Sequence, residues 1–230
     1  MPIRVVSVVD AVADELRALV LRGQLPGGTG LTEAEVATRY DVARPTAKAA
    51  IEKLVAESLL RRTNHKTARV VQLDADDVND IYRTRGLLER GAVRQLARLR
   101  CTPAAAEAAN REILAVGDGS SLAIIDPDMA FHTALVDAME SERTSRMYRA
   151  LVSEVKLCMS QLQGQQLLSP TVIAADHQGI LDRIGAGDSE GAVTALDEHL
   201  ERARDRLARA VEASSPPSAP PGPSKGDEPL

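Results

Sequence analysis

The sequence predicts a mainly α protein: an N-terminal helical head with a small β wing, then an all-α antiparallel helical bundle. Three observations carry that prediction. The 230 residues include only three Tyr, one Phe and no Trp, so strand-favouring aromatics are scarce beside abundant Ala, Leu and Arg. Apolar residues recur at helical spacing through most of the chain, and strand-like runs are confined to residues 59–71. Helix start and stop signals separate the periodic stretches.

The first periodic stretch, Val8, Val12, Leu16, Leu19 and Val20, predicts a helix over Val8–Arg22 that Gly23 stops. Pro26–Gly30 reads as a loop. Thr32 and Glu35 form a capping-box pattern, each side chain placed to satisfy the other's backbone N–H, so a second helix runs to about Tyr40. Asp41 occupies the turn. A third helix follows over Arg44–Glu57, with Ala47, Ala50, Ile51, Leu54 and Val55 on its apolar side. Leu59–Arg62 and Ala68–Val71 can pair as two short strands around the tip Asn64-His65-Lys66.

Two helices, a tight turn, a third helix and a hairpin make a winged helix-turn-helix, whose third helix suits the major groove of double-stranded DNA. Charge placement agrees. The chain's net charge is −5, but residues 1–72 carry +3 and the rest −8, which points to a polyanion partner for the head. Arg44, Thr46 and Lys48 lie at the start of the third helix, placed for base edges. Arg61, Arg62, Lys66 and Arg69 lie on or near the wing, placed for phosphates.

Residues 8–71 resemble the DNA-binding domain of the GntR family of bacterial transcription regulators. The matching stretches are ADELRALVLRGQLPGG and LTEAEVATRYDVARPTAKAAIEKLVAESLL. Around the recognition helix the family's usual run is G-V-S-R-T-P-V-R-E-A-L. Arg44 aligns with its first arginine, Lys48 replaces the second, and Ala43 replaces the capping serine. Lysine lacks arginine's bidentate fork, so the resemblance does not extend to the family's usual operator.

After a short link, Asp77 opens a helix to about Arg100, with the stripe Ile81, Leu87, Leu88, Ala92, Leu96 and Leu99. Thr102-Pro103 starts another, ending at Gly117. Asp126-Pro127 starts a third, to Met139, and later helices cover Glu142–Gln163, Thr171–Ile184 and Ser189–Glu212. The expected domains are 1–72, the DNA-binding head; 73–212, the helical bundle; and 213–230, a proline-rich tail. That tail holds six of the chain's 12 prolines and too little apolar surface to offset ordering.

Three of the chain's four histidines fall in the bundle. Asp128 and His132 are four residues apart, on one helix face. His177 and His199 stand 10 residues before and 12 after Gly187, at matching height on antiparallel neighbours. Three imidazoles and a carboxylate converging in a bundle suit a divalent transition metal such as Zn, Ni, Mn or Fe. Two cysteines, Cys101 and Cys158, exclude a disulfide scaffold or a paired CxxC zinc site.

The runs Asp128-Met-Ala-Phe-His132 and Asp176-His177 through Gly187-Asp188, then His199, resemble the FCD effector domain of the FadR subfamily. That resemblance implies metal ligation by Asp128, His132, His177 and His199, with the metal helping to bind a small carboxylate. It also places Arg85 at the effector pocket; Arg85 stands four residues before Glu89, a spacing that equally suits a surface salt bridge.

The expectation is a metabolite-responsive transcription regulator: a homodimeric repressor released from operator DNA by a small organic acid. Two rivals are a DNA-binding regulator whose metal is purely structural, and a metal-dependent enzyme fused to a DNA-binding head. The enzyme lacks any further motif for a catalytic acid or base. No apolar run nears the ~20 residues of a membrane span, and Asp10, Asp14 and Glu15 follow the N-terminus too closely for a signal peptide. The expected location is the cytoplasm.

Overall fold

Val12, Ala13, Leu16, Leu19 and Val20 form the buried stripe of α1 (Val8–Leu21), which Ser7 caps by accepting from the Asp10 backbone N–H. Val8 lies off that stripe and is 59% exposed, so the core begins one turn later than the periodicity predicts. This computed structural model describes residues 7–64, 67–116, 123–162 and 169–214. Residues 117–122, His65 and Lys66, and the expected proline-rich tail from residue 215 lie outside the described residues.

The head continues with β1 (Gly30–Thr32), α2 (Glu33–Tyr40), α3 (Arg44–Ala56), β2 (Leu60–Asn64) and β3 (Thr67–Val70). The capping box forms as expected: Thr32 Oγ1 accepts from Glu35 N, and Glu35 Oε2 accepts from Thr32 N. Asp41 ends α2 in the left-handed region at φ 50°. Ala43 begins α3 without a side-chain cap. Ala47, Ala50, Ile51 and Leu54 pack α3 onto α1, and Arg17 of α1 clamps Glu57 through two bonds of 2.6 Å. The wing has three antiparallel strands in the order β1-β3-β2, not two. Gly30-Leu-Thr, expected as the end of a loop and the start of a cap, pairs with Thr67–Arg69 because buried Leu31 lies opposite Ala68.

The body holds α4 (Ala75–Leu99), α5 (Ala104–Val116), α6 (Ile125–Asp137), α7 (Glu142–Gln161), α8 (Pro170–Ala186) and α9 (Ser189–Ser214). Asp74 and Asp77 form a second capping box, so α4 starts two residues earlier than expected. The buried face of α4 is Val78, Ile81, Tyr82, Arg85, Glu89, Ala92, Val93 and Leu96. Leu87 and Leu99, expected on that stripe, are 67% and 66% exposed. The true stripe keeps helical spacing by passing through two charged residues. Gly187, at φ 77°, closes α8 in the left-handed region and turns the chain into α9.

Helix α4 lies along α9 and also meets α6, α7 and α8, so it forms the spine of the bundle. One cluster of buried apolar side chains runs from Leu16, Ile51 and Leu54 in the head to Phe131, Leu196 and Leu207 in the bundle. At the junction Gln161 Nε2 of α7 donates to Val71 O at 2.7 Å. A cleft of about 350 Å³ opens beside that contact, between Val20 and Gly27 on the head and Leu162 and Val211 on the bundle. The two parts therefore share a continuous apolar core with an open cleft at one edge of their junction. No helix among the described residues is long and apolar enough to cross a membrane.

Candidate metal centre

Asp128 and His132 leave α6 one turn apart, His177 comes from α8 and His199 from α9. All four are buried, and their ligand atoms lie within 4.8 Å of one another. His132 Nε2 is 3.2 Å from His199 Nε2. Asp128 Oδ1 is 3.4 Å from His177 Nε2 and 4.0 Å from His132 Nε2. Donors held at about 2.1 Å from one ion stand roughly 3.0–3.4 Å apart, so these separations fit a shared ion after small closing movements.

The chemistry of the donors agrees with the geometry. Burial pushes the His177 imidazole well below its ordinary range, with His199 and His132 adding to the effect, and burial also lowers His132. Burial thus favours the neutral imidazole, the form that binds a metal. Phe131 stacks on His177 at 3.6 Å and 6°, which fixes the ring plane. Both His177 ring nitrogens and Asp128 Oδ1 are buried with no hydrogen-bond partner. Interiors leave few polar groups in that condition, and a cation would satisfy Asp128 Oδ1 and His177 Nε2, which stand 3.4 Å apart, leaving His177 Nδ1 as the ring's N–H.

Arg85 is 1% exposed and pairs with Glu89 at 2.9 Å, so the salt bridge exists but lies in the core, not on the surface. Its Nη2 is buried without a partner, and its guanidinium sits 4.8 Å from the Tyr82 ring centroid. Glu89 also meets His132 Nδ1 at 2.7 Å and the Tyr148 hydroxyl at 2.6 Å. Burial alone would raise the Glu89 carboxyl, but His132, Arg85 and Tyr148 outweigh it and hold it well below the usual carboxylate range. On the far side of the cluster Asp176 faces His199 Nδ1 at 3.3 Å and Arg202 at 2.8 Å.

The roles of Tyr148 and Phe131 were not readable from spacing alone. Glu89 had a signal, since it lies four residues after Arg85 and three before Ala92 on one helical face.

On the head, Arg44, Lys48, Arg61 and Arg69 are exposed and Thr46 is half-buried; Lys66 falls outside the described residues. Arg61 and Arg69 are direct cross-strand partners. Arg69 also donates to Gly28 O at 3.1 Å. Arg62 departs from its expected place among phosphate contacts: it turns back onto Glu33 at 3.1 Å and Glu52 at 2.6 Å, bracing the wing against α2 and α3.

Residues 8–70 match the family "Bacterial regulatory proteins, gntR family", and residues 80–202 match the FCD domain. The "Probable D-xylose utilization operon transcriptional repressor" of Paenarthrobacter nicotinovorans is 29% identical over 199 residues, covering 84% of this chain and 86% of that one. The "Gluconate operon transcriptional repressor" of Bacillus subtilis (strain 168) is 22% identical over 205 residues, covering 85% and 83%. A crystal structure of a regulator assigned to GntR, from Rhodococcus sp. RHA1, superposes with a TM-score of 0.74 at 23% identity, covering 90% of this chain and 99% of that one. An FCD domain solved metal-free superposes at 0.52 with 20% identity, covering 62% and 99%. At these identities the two structures speak for the fold alone. The chain belongs to the GntR family of bacterial regulatory proteins, in the branch that carries an FCD domain, and is a DNA-binding transcription regulator rather than an enzyme.

Proposed function

We propose that this regulator is a cytoplasmic, homodimeric repressor, released from its operator when a small organic acid binds beside a divalent metal. In this reading residues 1–72 read DNA, 73–212 sense and dimerise, and the ion is held by Asp128, His132, His177 and His199. Mixed imidazole and carboxylate donors suit Zn, Ni, Mn or Fe. The ion would offer open coordination positions to a carboxylate.

The observation that carries the reading is the pairing of two unmet needs in one buried place. His177 and Asp128 present unpartnered donor atoms that suit a cation, and Arg85 Nη2 presents an unpartnered N–H that suits an anion. Each such group costs about 1–3 kcal/mol when left unsatisfied. A purely structural metal would answer the first need and leave Arg85 unanswered. An organic acid beside the metal answers both, and Arg85 gives it a charge-assisted hydrogen bond.

On the DNA side, Arg61 and Arg69 put like charges opposite each other on an exposed strand pair, an arrangement that costs stability by itself. A phosphate lying across the wing removes that cost. Arg44, Thr46 and Lys48 at the start of α3 then meet base edges, and a two-fold dimer sets the half-site spacing.

The test is calorimetry of a panel of small organic acids against Zn- or Ni-loaded protein, repeated with Arg85→Met. At least one acid should bind the wild type and lose most of its affinity in the variant while metal content is unchanged. Failure of every acid against fully loaded protein would sink the sensing role and leave a structural metal.

A further inference from the structure

We infer that Glu89 is a positioning residue of the metal centre: it holds the His132 proton on Nδ1 and so aims the bare Nε2 at the other ligand atoms. The inference rests on reading the four residues as metal ligands, and it assigns a role to a residue outside them.

The geometry of the carboxylate carries the argument. Glu89 Oε1 accepts from Arg85 Nε at 2.9 Å and from the Tyr148 hydroxyl at 2.6 Å. Its other oxygen, Oε2, is left for His132 Nδ1 at 2.7 Å. Glu89 and His132 are both wholly buried, so no water competes for these contacts. A carboxylate beside a guanidinium is ionised, and an ionised carboxylate only accepts. The hydrogen between Glu89 and His132 therefore sits on Nδ1, and Nε2 keeps its lone pair. That lone pair faces the cluster, 3.2 Å from His199 Nε2 and 4.0 Å from Asp128 Oδ1. An outer carboxylate that fixes tautomer and ring orientation also raises the basicity of the ligating nitrogen.

Glu89 differs from the other carboxylate near a ligand. Asp176 stands 3.3 Å from His199 Nδ1, is shared with Arg202, and has a side chain 24% exposed. Neither ring nitrogen of His177 has a hydrogen-bond partner among the described residues. Glu89 is thus the short, dry contact of the set. It also ties three helices together at the site, since it rises from α4, grips His132 on α6 and accepts from Tyr148 on α7. One residue thereby sets both the direction of a ligand atom and the place of Arg85, whose Nη2 is buried with no hydrogen-bond partner.

The experiment has two arms. In metal-free wild-type protein, long-range ¹⁵N–¹H correlation spectra of the histidine rings read the tautomer directly. His132 should be protonated at Nδ1 and bare at Nε2; a His132 ring protonated at Nε2 overturns the inference. This arm needs no variant, so it stands even where Glu89→Gln fails to fold. It also stands apart from the metal reading, which fails separately if wild-type protein binds no Zn(II) or Ni(II). In the second arm, Zn(II) affinity is compared among wild type, Glu89→Gln and Tyr148→Phe, with helical content checked by circular dichroism. Glu89→Gln should weaken binding about 10–100-fold. Tyr148→Phe, which keeps the carboxylate on His132, should weaken it by less than that range. Unchanged affinity in Glu89→Gln, or an equal loss in both variants, overturns the inference, because the second result would report a general loosening of the network.

Discussion

Replacing His177 with leucine is expected to reverse the order of stability between metal-free and metal-loaded protein. In the metal-free state both ring nitrogens of His177 are buried without partners, and the ring is wholly inaccessible. Leaving such groups unsatisfied costs about 1–3 kcal/mol. Leucine is close in volume and carries no polar atom, so metal-free His177→Leu should exceed metal-free wild type by about that amount. For a chain of this length each kcal/mol moves Tm by about 2–4 °C, giving a rise of roughly 2–12 °C. With metal the sign changes. Free ion at about 1,000 times Kd stabilises the wild type by about 4.1 kcal/mol, or roughly 8–16 °C. The variant, lacking one ligand, should gain far less. Differential scanning calorimetry in chelator and in excess Zn(II) gives all four values. A variant less stable than wild type in chelator by several degrees would show that the ring nitrogens are satisfied in solution. An equal metal-induced shift in both proteins would remove His177 from the ligand set.

The remaining predictions concern the head and the cysteines. Arg44→Ala should cost about 1–3 kcal/mol of specific operator binding and little on random duplexes, as measured by fluorescence anisotropy on both. Arg61→Ala should lower the slope of log affinity against log salt by about one, whereas Arg62→Ala should leave that slope unchanged, because Glu33 and Glu52 already hold its guanidinium. Cys101 is exposed, but burial pushes the Cys158 thiol up to about 12. A thiol reagent at pH 8 should therefore label one cysteine per native chain and two only after unfolding.

The sequence carried the grouping of Asp128, His132, His177 and His199 better than its surroundings. Asp128 and His132 share a helix turn, and the Gly187 turn sets His177 and His199 at equal height, so simple helical geometry brings the four together. Arg85 and Glu89 were harder to place, because a buried ion pair breaks the apolar pattern that marks a core face. Leu87 and Leu99 completed the apolar pattern in their stead, yet both point to solvent. The third wing strand escaped for a related reason: Gly30-Leu-Thr pairs over only three residues, too few for alternation to register. The basic wing was readable as charge but not as contacts, since whether Arg62 faces DNA or Glu33 and Glu52 depends on how β2 lies against α2 and α3. Helix boundaries were set by local chemistry, and the Asp74–Asp77 box moved one of them by two residues.

In the proposed mechanism, acid binding beside Asp128, His132, His177 and His199 is coupled to operator binding at the head. The direct measurement is a closed cycle: acid affinity by calorimetry with and without operator duplex, and operator affinity by anisotropy with and without acid, on the same metal-loaded protein. Linkage requires one factor in both directions, and coupling of about 1–3 kcal/mol makes that factor roughly 5–150. The acid should weaken operator binding, and the operator should weaken acid binding, by that same factor. An acid that binds free and operator-bound protein with equal affinity would contradict it.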